Sequence, residues 1–507
     1  MKINSFPKQK LGLLIGLLAG MAILFFSDLD PKNPNVTATL AVAVLMSIWW
    51  ITEAVPLAVT SLLPVTLFPL LGIMNGKDVS STYFNHIIFL FIGGFMIALA
   101  MQKWNLHKRI ALKILQMTGV SPARILLGFM ISSAFLSMWI SNTATAMMMI
   151  PIVLSIITKL QEQMGKKAVS KYAVGLLLGI AYASSIGGVA TLVGTPPNLS
   201  FARIFNIYFP NAPQVSFAQW FLFALPITLL LLTVSWALIF LSFKPKKSEW
   251  RSIDRTTFKT QYKALGPLKF EEIVVLADFI LVALLWLTRS DLNFGFIQLK
   301  GWNNLFAFPK YINDGTIAIF MAIILFAIPS TNKNGRQIMD WKSTRELPWN
   351  IVLLFGGGFA LASGFKESGL SMWFGEQLSF AKDYPPLFVI ATICLTITFL
   401  TELTSNTATT EMFLPILAGL SVTIHVNPLM LMIPATISAS MAFMLPVATP
   451  PNAIVFGTNR INMGQMAKTG ILLNLIGVII VTLITYYWGQ LVFDIHPGIL
   501  PEWTVVN

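Results

Sequence analysis

The sequence predicts an all-α polytopic membrane protein with about 11 transmembrane helices and two re-entrant hairpins, arranged as an inverted-topology repeat. Three observations point there. Of 507 residues, 55% are hydrophobic and 11% charged, with mean hydropathy +0.73, against roughly 25% charge in a soluble domain. Eleven apolar runs are long enough to span a bilayer, which takes about 20 residues. The pentapeptide Ser-Asn-Thr-Ala-Thr occurs twice within apolar sequence, at Ser141 to Thr145 and Ser405 to Thr409.

The eleven runs lie near 10–27, 36–52, 54–74, 83–102, 172–193, 217–243, 270–288, 312–330, 348–366, 428–447 and 468–493. The first continues without a small-residue cleavage site and reads as a span rather than a signal peptide. With the amino terminus inside (Lys2, Lys8, Lys10), only eight of 34 Lys and Arg residues fall on the other side: Lys32, Lys77, Arg203, Arg289, Lys300, Lys310, Lys366 and Lys382. That asymmetry predicts a cytoplasmic amino terminus and an extracytoplasmic carboxyl terminus. It also explains the net charge of +13 without a nucleic-acid partner. The basic cluster from Lys244 to Lys269 is expected to be a cytoplasmic loop.

The pentapeptide stretches differ from these runs. From Ile125 to Thr158, Ser-Asn-Thr divides apolar sequence into arms of about 15 residues, each ~22 Å of helix against a ~30 Å hydrocarbon core. Neither arm is expected to cross, so a re-entrant hairpin with its polar tip near mid-membrane follows, provided the tip is buried in protein or faces water. Pro385 to Ile424 repeats the design. The competing reading is one long tilted helix with a polar kink.

The repeat is wider than the pentapeptide. At an offset of 264 residues, Phe91, Gly93, Gly94, Phe95, Phe135, Leu136, Pro151 and Ile152 fall on Phe355, Gly357, Gly358, Phe359, Phe399, Leu400, Pro415 and Ile416. Gly194-Thr195-Pro196-Pro197-Asn198 matches Ala448-Thr449-Pro450-Pro451-Asn452 at an offset of 254. Five runs separate the hairpins, an odd number, so they open to opposite sides. Inverted repeats with interrupted helices characterise secondary transporters.

Proline removes a backbone donor and disfavours helix at the preceding residue, so helices should break at Thr195 and Thr449. Freed carbonyls near Gly194 and Ala448 can coordinate a hard cation, while helix amino termini offer N–H groups to an anion. Packing of helices through small polar residues is the structural alternative.

At these residues the chain resembles the divalent anion/sodium symporter family. The resemblance covers nearly the whole chain and includes Trp49-Trp50-Ile51-Thr52-Glu53-Ala54-Val55-Pro56, both Ser-Asn-Thr hairpins and both broken helices. It implies a homodimer in a plasma (inner) membrane, working by an elevator motion. The scaffold would comprise 1–118 (four spans and an interfacial helix) and 244–382 (cytoplasmic loop, three spans and a second interfacial helix). The moving transport domain would comprise the repeats 119–243 and 383–507. Carried over by motif, one Na+ site is Ser137, Ser141, Asn142 and Gly194, and a second is Thr401, Ser405, Asn406 and Ala448. Substrate would meet Ser141, Asn142, Thr143, Ser405, Asn406 and Thr407, with Thr195, Thr449 and Pro450 alongside. Threonine at the third motif position of both hairpins resembles a C4-dicarboxylate carrier of succinate, fumarate and malate. The family uses no organic cofactor. The interfacial helices are expected at Trp104 to Met117, with a basic face of Lys108, Arg109 and Lys113, and at Leu370 to Ala381.

Sodium-coupled symport is the leading reading, and sodium-independent dicarboxylate exchange keeps the same fold and substrate. Serine, asparagine and backbone carbonyls serve carboxylates and sodium alike. Glu411, where the first repeat has Met147, could bind a proton, replace part of a cation site, face a polar crevice or pair with a basic side chain. Glu402 and Glu53 read as braces of broken helices, and Asp278 has no evident partner. The single cysteine, Cys394, excludes an intrachain disulfide. Neither a GxxxxGK[ST] loop nor a GxSxG elbow is present, against an ATP-driven pump or a serine hydrolase. A channel with re-entrant loops is the alternative from another class.

Overall fold

The computed structural model describes residues 6–246, 256–293, 298–331, 337–496 and 498–504. Lys2 and residues 247–255 of the expected basic loop lie outside that description. Helices α1 (Phe6–Phe26) and α2 (Pro34–Thr52) pack together. Their approach requires glycine: a Cβ on Gly16 would lie 2.6 Å from the Trp49 ring. Trp49 Nε1 donates to Leu13 O at 3.2 Å. Glu53 ends α2 in the left-handed region, φ 47, with its side chain exposed. Its backbone turn closes the helix, in place of the carboxylate brace expected from sequence.

The third apolar run is not one helix. It forms α3 (Leu57–Thr60) and α4 (Leu63–Leu70), followed by α5 (Gly76–Ser81). Pro56 and Pro64 start the two pieces, and eight residues of helix reach only ~12 Å. Next come α6 (His86–Lys103) and α7 (Leu106–Thr118). On α7, Lys108 and Lys113 are exposed as expected, but Arg109 turns inward. Its Nε and Nη2 donate to Glu272 at 3.1 and 3.0 Å, and Nη1 to Gly266 O at 3.1 Å. The basic face is therefore two lysines.

The first duplicated unit is α8 (Pro122–Ser137), α9 (Asn142–Met164), α10 (Lys166–Val189), α11 (Pro196–Tyr208) and α12 (Phe217–Phe243). The middle segment is α13 (Thr256–Ala264), α14 (Phe270–Leu287), α15 (Asp314–Ala327), α16 (Trp349–Glu367) and α17 (Leu370–Gln377). Between α14 and α15, Leu292–Asn293 and Gln298–Leu299 pair as a small antiparallel ribbon, a departure from a wholly α chain. The second unit is α18 (Pro386–Thr401), α19 (Asn406–Thr423), α20 (Leu429–Ala439), α21 (Pro450–Phe456) and α22 (Met463–Phe493). Among the described residues, seven helical segments are long and apolar enough to cross a membrane.

Two expectations about length change. The second arm of the first hairpin, α9, has 23 residues, because the polar stretch after Thr158 continues the helix to Gly165, where φ is 81. The tenth apolar run holds only the 11 residues of α20 before the chain leaves helix. A large core joins both duplicated units to α6, α14, α15 and α16. A smaller core gathers α2, Phe68, Val79, α17 and the other face of α16. Helix α16 thus forms the wall between them.

Candidate transport site

Each pentapeptide forms the turn between two helices. Ser141 is the N-cap of α9, its hydroxyl accepting from Ala144 N at 3.2 Å. Ser405 holds the same place before α19 without a side-chain cap bond. The first-turn N–H groups of Asn142, Thr143, Asn406 and Thr407 have no acceptor within their helices, so these ends can receive an anion. The tip contacts recur at the 264-residue offset. Ser137 Oγ donates to Asn142 Oδ1 at 2.5 Å, and Thr401 Oγ1 lies 2.8 Å from both Asn406 Oδ1 and Ala439 O, with one proton to give to either.

The Thr-Pro-Pro segments break their helices as the sequence requires. Thr195 and Thr449 are both extended, φ −145 and −139, with prolines opening α11 and α21. The asparagine ending each motif ties the break down. Asn198 Nδ2 donates to Gly188 O, Val189 O and Thr191 O at 3.3, 3.2 and 2.7 Å. Asn452 Nδ2 donates to Ala442 O and Leu445 O at 3.0 and 3.1 Å. Both asparagines are fully buried. Sequence reasoning gave them no role, although their recurrence at the end of both motifs was the available signal.

Glu402 braces the second break, as expected: its carboxylate accepts from the N–H groups of Phe443, Met444 and Leu445 at 2.7, 2.8 and 3.0 Å, and from Asn474 Nδ2 at 2.7 Å. The first repeat has Met138 there and uses a neutral bond, Thr191 Oγ1 to Met138 O at 2.5 Å.

Two members of the first proposed cation set, Asn142 and Gly194, converge, while the Ser141 hydroxyl is placed at the helix cap. A Cβ on Gly188 would lie 2.5 Å from Asn142 Oδ1 and 3.0 Å from Gly194 O, so two oxygens face one space that only the missing side chain leaves open. Hard cations take oxygen ligands, and Ser137 Oγ lies beside one of these two oxygens, 2.5 Å from Asn142 Oδ1. In the second repeat Thr401 and Asn406 are joined, but the position matching Gly188 is Ala442, whose methyl is present. Ala448 sits in the following loop, its N–H on Leu445 O at 3.3 Å, as Gly194 N sits on Thr191 O at 3.3 Å. The repeats also cross-pack: α9 lies against α21, and α11 against α19. Each hairpin arm thereby touches the other half's post-break helix.

Residues 8–495 match the family described as the sodium:sulfate symporter transmembrane region. The chain belongs to this family. It is a multi-pass membrane transporter rather than an enzyme. It is 45% identical over 495 residues to the sodium-dependent dicarboxylate transporter SdcS of Staphylococcus aureus, covering 96% of this chain and 92% of that protein. The SdcS protein of Staphylococcus saprophyticus is 43% identical over 486 residues, covering 94% and 91%. Two solved transporters share the fold at 12% identity. MtrF of Neisseria gonorrhoeae gives a TM-score of 0.56 over 93% of this chain and 97% of its own, and YdaH of Alcanivorax borkumensis gives 0.53 over 83% and 87%.

Among the described residues no cluster of three or more His, Cys, Asp or Glu side chains could hold a metal ion.

Proposed function

We propose that this protein is a sodium-coupled symporter of C4-dicarboxylates, with succinate, fumarate and malate as substrates, in a plasma membrane with its amino terminus cytoplasmic. The observation that carries the reading is the convergence of Asn142 Oδ1 and Gly194 O over Gly188, behind a hairpin tip with free N–H groups. Anion donors and cation ligands share Asn142 and its counterpart Asn406. Each ion then improves the site for the other, and coupling is that difference in affinity between loaded and unloaded states. The name sodium-dependent dicarboxylate transporter, borne by relatives 43–45% identical, favours symport over exchange.

In this reading Ser137, Ser141, Asn142 and Gly194 hold one Na+, and Thr401, Ser405, Asn406 and Ala448 hold the other. Ser141, Ser405, Thr143 and Thr407 meet the substrate carboxylates, with Thr195, Thr449 and Pro450 shaping the breaks. The hairpins are re-entrant from opposite faces. Segments 119–243 and 383–507 move together against a dimeric scaffold of 1–118 and 244–382.

The test is uptake of labelled succinate into proteoliposomes, with and without an inward sodium gradient and with and without internal succinate. The wild type requires sodium and no internal dicarboxylate, and Asn142→Ala or Asn406→Ala removes at least 90% of the rate, roughly tenfold or about 1.4 kcal/mol, while inserting normally. Uptake indifferent to sodium and dependent on internal succinate makes the protein an exchanger instead.

A further inference from the structure

Glu411 lies one helical turn behind Thr407 on α19 and is wholly buried. Among the described residues no basic side chain lies within ion-pair distance of it. Its Oε1 receives the hydroxyl of Ser200, on α11 of the other repeat, while Oε2 is buried with no hydrogen-bond partner. The carboxyl is seated against α16, where a Cβ on Gly358 would collide with Cδ and Oε2. The acid therefore occupies a cradle that only glycine leaves, at the joint of both repeats with α16.

Among the described residues, the basic groups on the neighbouring elements make no ion pair with it and bond elsewhere. On α11, Arg203 Nη1 donates to Asn206 at 3.2 Å and Tyr208 OH to Ala362 O at 3.1 Å. On α16, Lys366 donates to Ile207 O at 2.6 Å, and Glu367 is exposed. Helix α17 contributes only the exposed Glu376, α18 only Cys394, and α2 and α20 carry no ionisable side chain. A bare carboxylate in such a place is strongly disfavoured unless a proton neutralises it. At the matching position of the first repeat, Met147 is 53% exposed, so the arrangement belongs to one repeat alone.

We propose that Glu411 is a proton-binding site, held as the neutral acid while α19 is seated on α16 and releasing its proton to water when that contact opens. It is distinct from the two sodium sites. The proton's place in coupled transport rests on the symport reading, whereas the neutral acid itself does not.

Infrared difference spectroscopy of the purified protein, wild type minus Glu411→Gln at neutral pH, tests the site. A protonated-carboxyl C=O band present in the wild type and absent from Glu411→Gln supports it, and no such band in the difference overturns it. Glu411→Met, the residue of the matched position, must give the same difference. For the coupling, succinate is added with sodium in weakly buffered solution, at a pH well above the carboxylate range, with a pH indicator. The wild type exchanges a measurable fraction of a proton per protomer, and Glu411→Gln binds succinate without doing so. Equal proton exchange in both, or none in the wild type, overturns the link. Failure of both proteins to bind succinate sinks the symport reading and leaves the infrared result to decide the proton site.

Discussion

At Gly188 one missing methyl group leaves open the space of the proposed cation site. It lies near the end of α10, where alanine is the better helix former by ~0.5–1 kcal/mol. On propensity alone, Gly188→Ala should stabilise the protein. The added Cβ would nevertheless fall 2.5 Å from Asn142 Oδ1 and 3.0 Å from Gly194 O, in the space assigned to a cation. The expected outcome is a folded protein whose sodium-dependent thermal stabilisation needs at least ~10-fold more sodium, since a ligand stabilises by RT ln(1 + [L]/Kd). A melting series against sodium concentration checks this. Asn142 and Asn406 were legible in the sequence, because a repeated polar pentapeptide in apolar surroundings demands a reason. Gly188 was not, because a glycine's importance depends on what packs over its α-carbon.

At the scale of elements, a broken helix leaves carbonyls and N–H groups without partners in a setting with little water. Asn198 and Asn452 satisfy the carbonyls, and Glu402 satisfies three N–H groups. Removing one side of such buried bonds costs ~1–3 kcal/mol. Asn452→Ala is expected to lower the thermal unfolding midpoint of the purified protein, and Asn452→Asp to lower it further, because an acceptor then faces the carbonyls of Ala442 and Leu445. The two breaks were legible from Thr-Pro-Pro, since proline acts through local sterics. The third apolar run was not, because hydropathy counts residues and overlooks Pro56 and Pro64 dividing it. The length of α9 escaped for the opposite reason: helix continues into polar residues that carry no apolar signal. Arg109 looked like surface charge, and its partner Glu272 lies 163 residues away.

At the scale of the whole molecule, charge pairs join distant segments. Lys103, at the end of α6, bonds Asp340 in the connection before α16 at 2.9 Å. The hydrogen bond from Lys103, with its charge, draws the Asp340 carboxyl down to about 2. An aspartate in an unfolded chain titrates near ~3.9. The folded value is the lower one, so the pair's stabilisation is present above pH ~4 and is lost as pH falls toward ~2. Both side chains are 28% exposed, which limits the effect to under about 1 kcal/mol. Wild type and Asp340→Asn should differ slightly in unfolding midpoint at neutral pH and converge in that acid window. The duplication was legible because the 264-residue and 254-residue offsets carry real contacts: Ser137 with Asn142 recurs as Thr401 with Asn406, and Gly194 with Thr191 as Ala448 with Leu445. The asymmetries, Gly188 against Ala442 and Met147 against Glu411, mark where the two halves have separated in chemistry.

The measurement closest to the central claim is the sodium-activation curve of succinate uptake into proteoliposomes free of internal dicarboxylate, for wild type and Gly188→Ala. A sigmoidal wild-type curve, flattened and moved to at least ~10-fold higher sodium in Gly188→Ala, is the predicted result. Uptake that does not respond to sodium, or identical curves for the two proteins, would contradict a cation site built on Asn142 and Gly194.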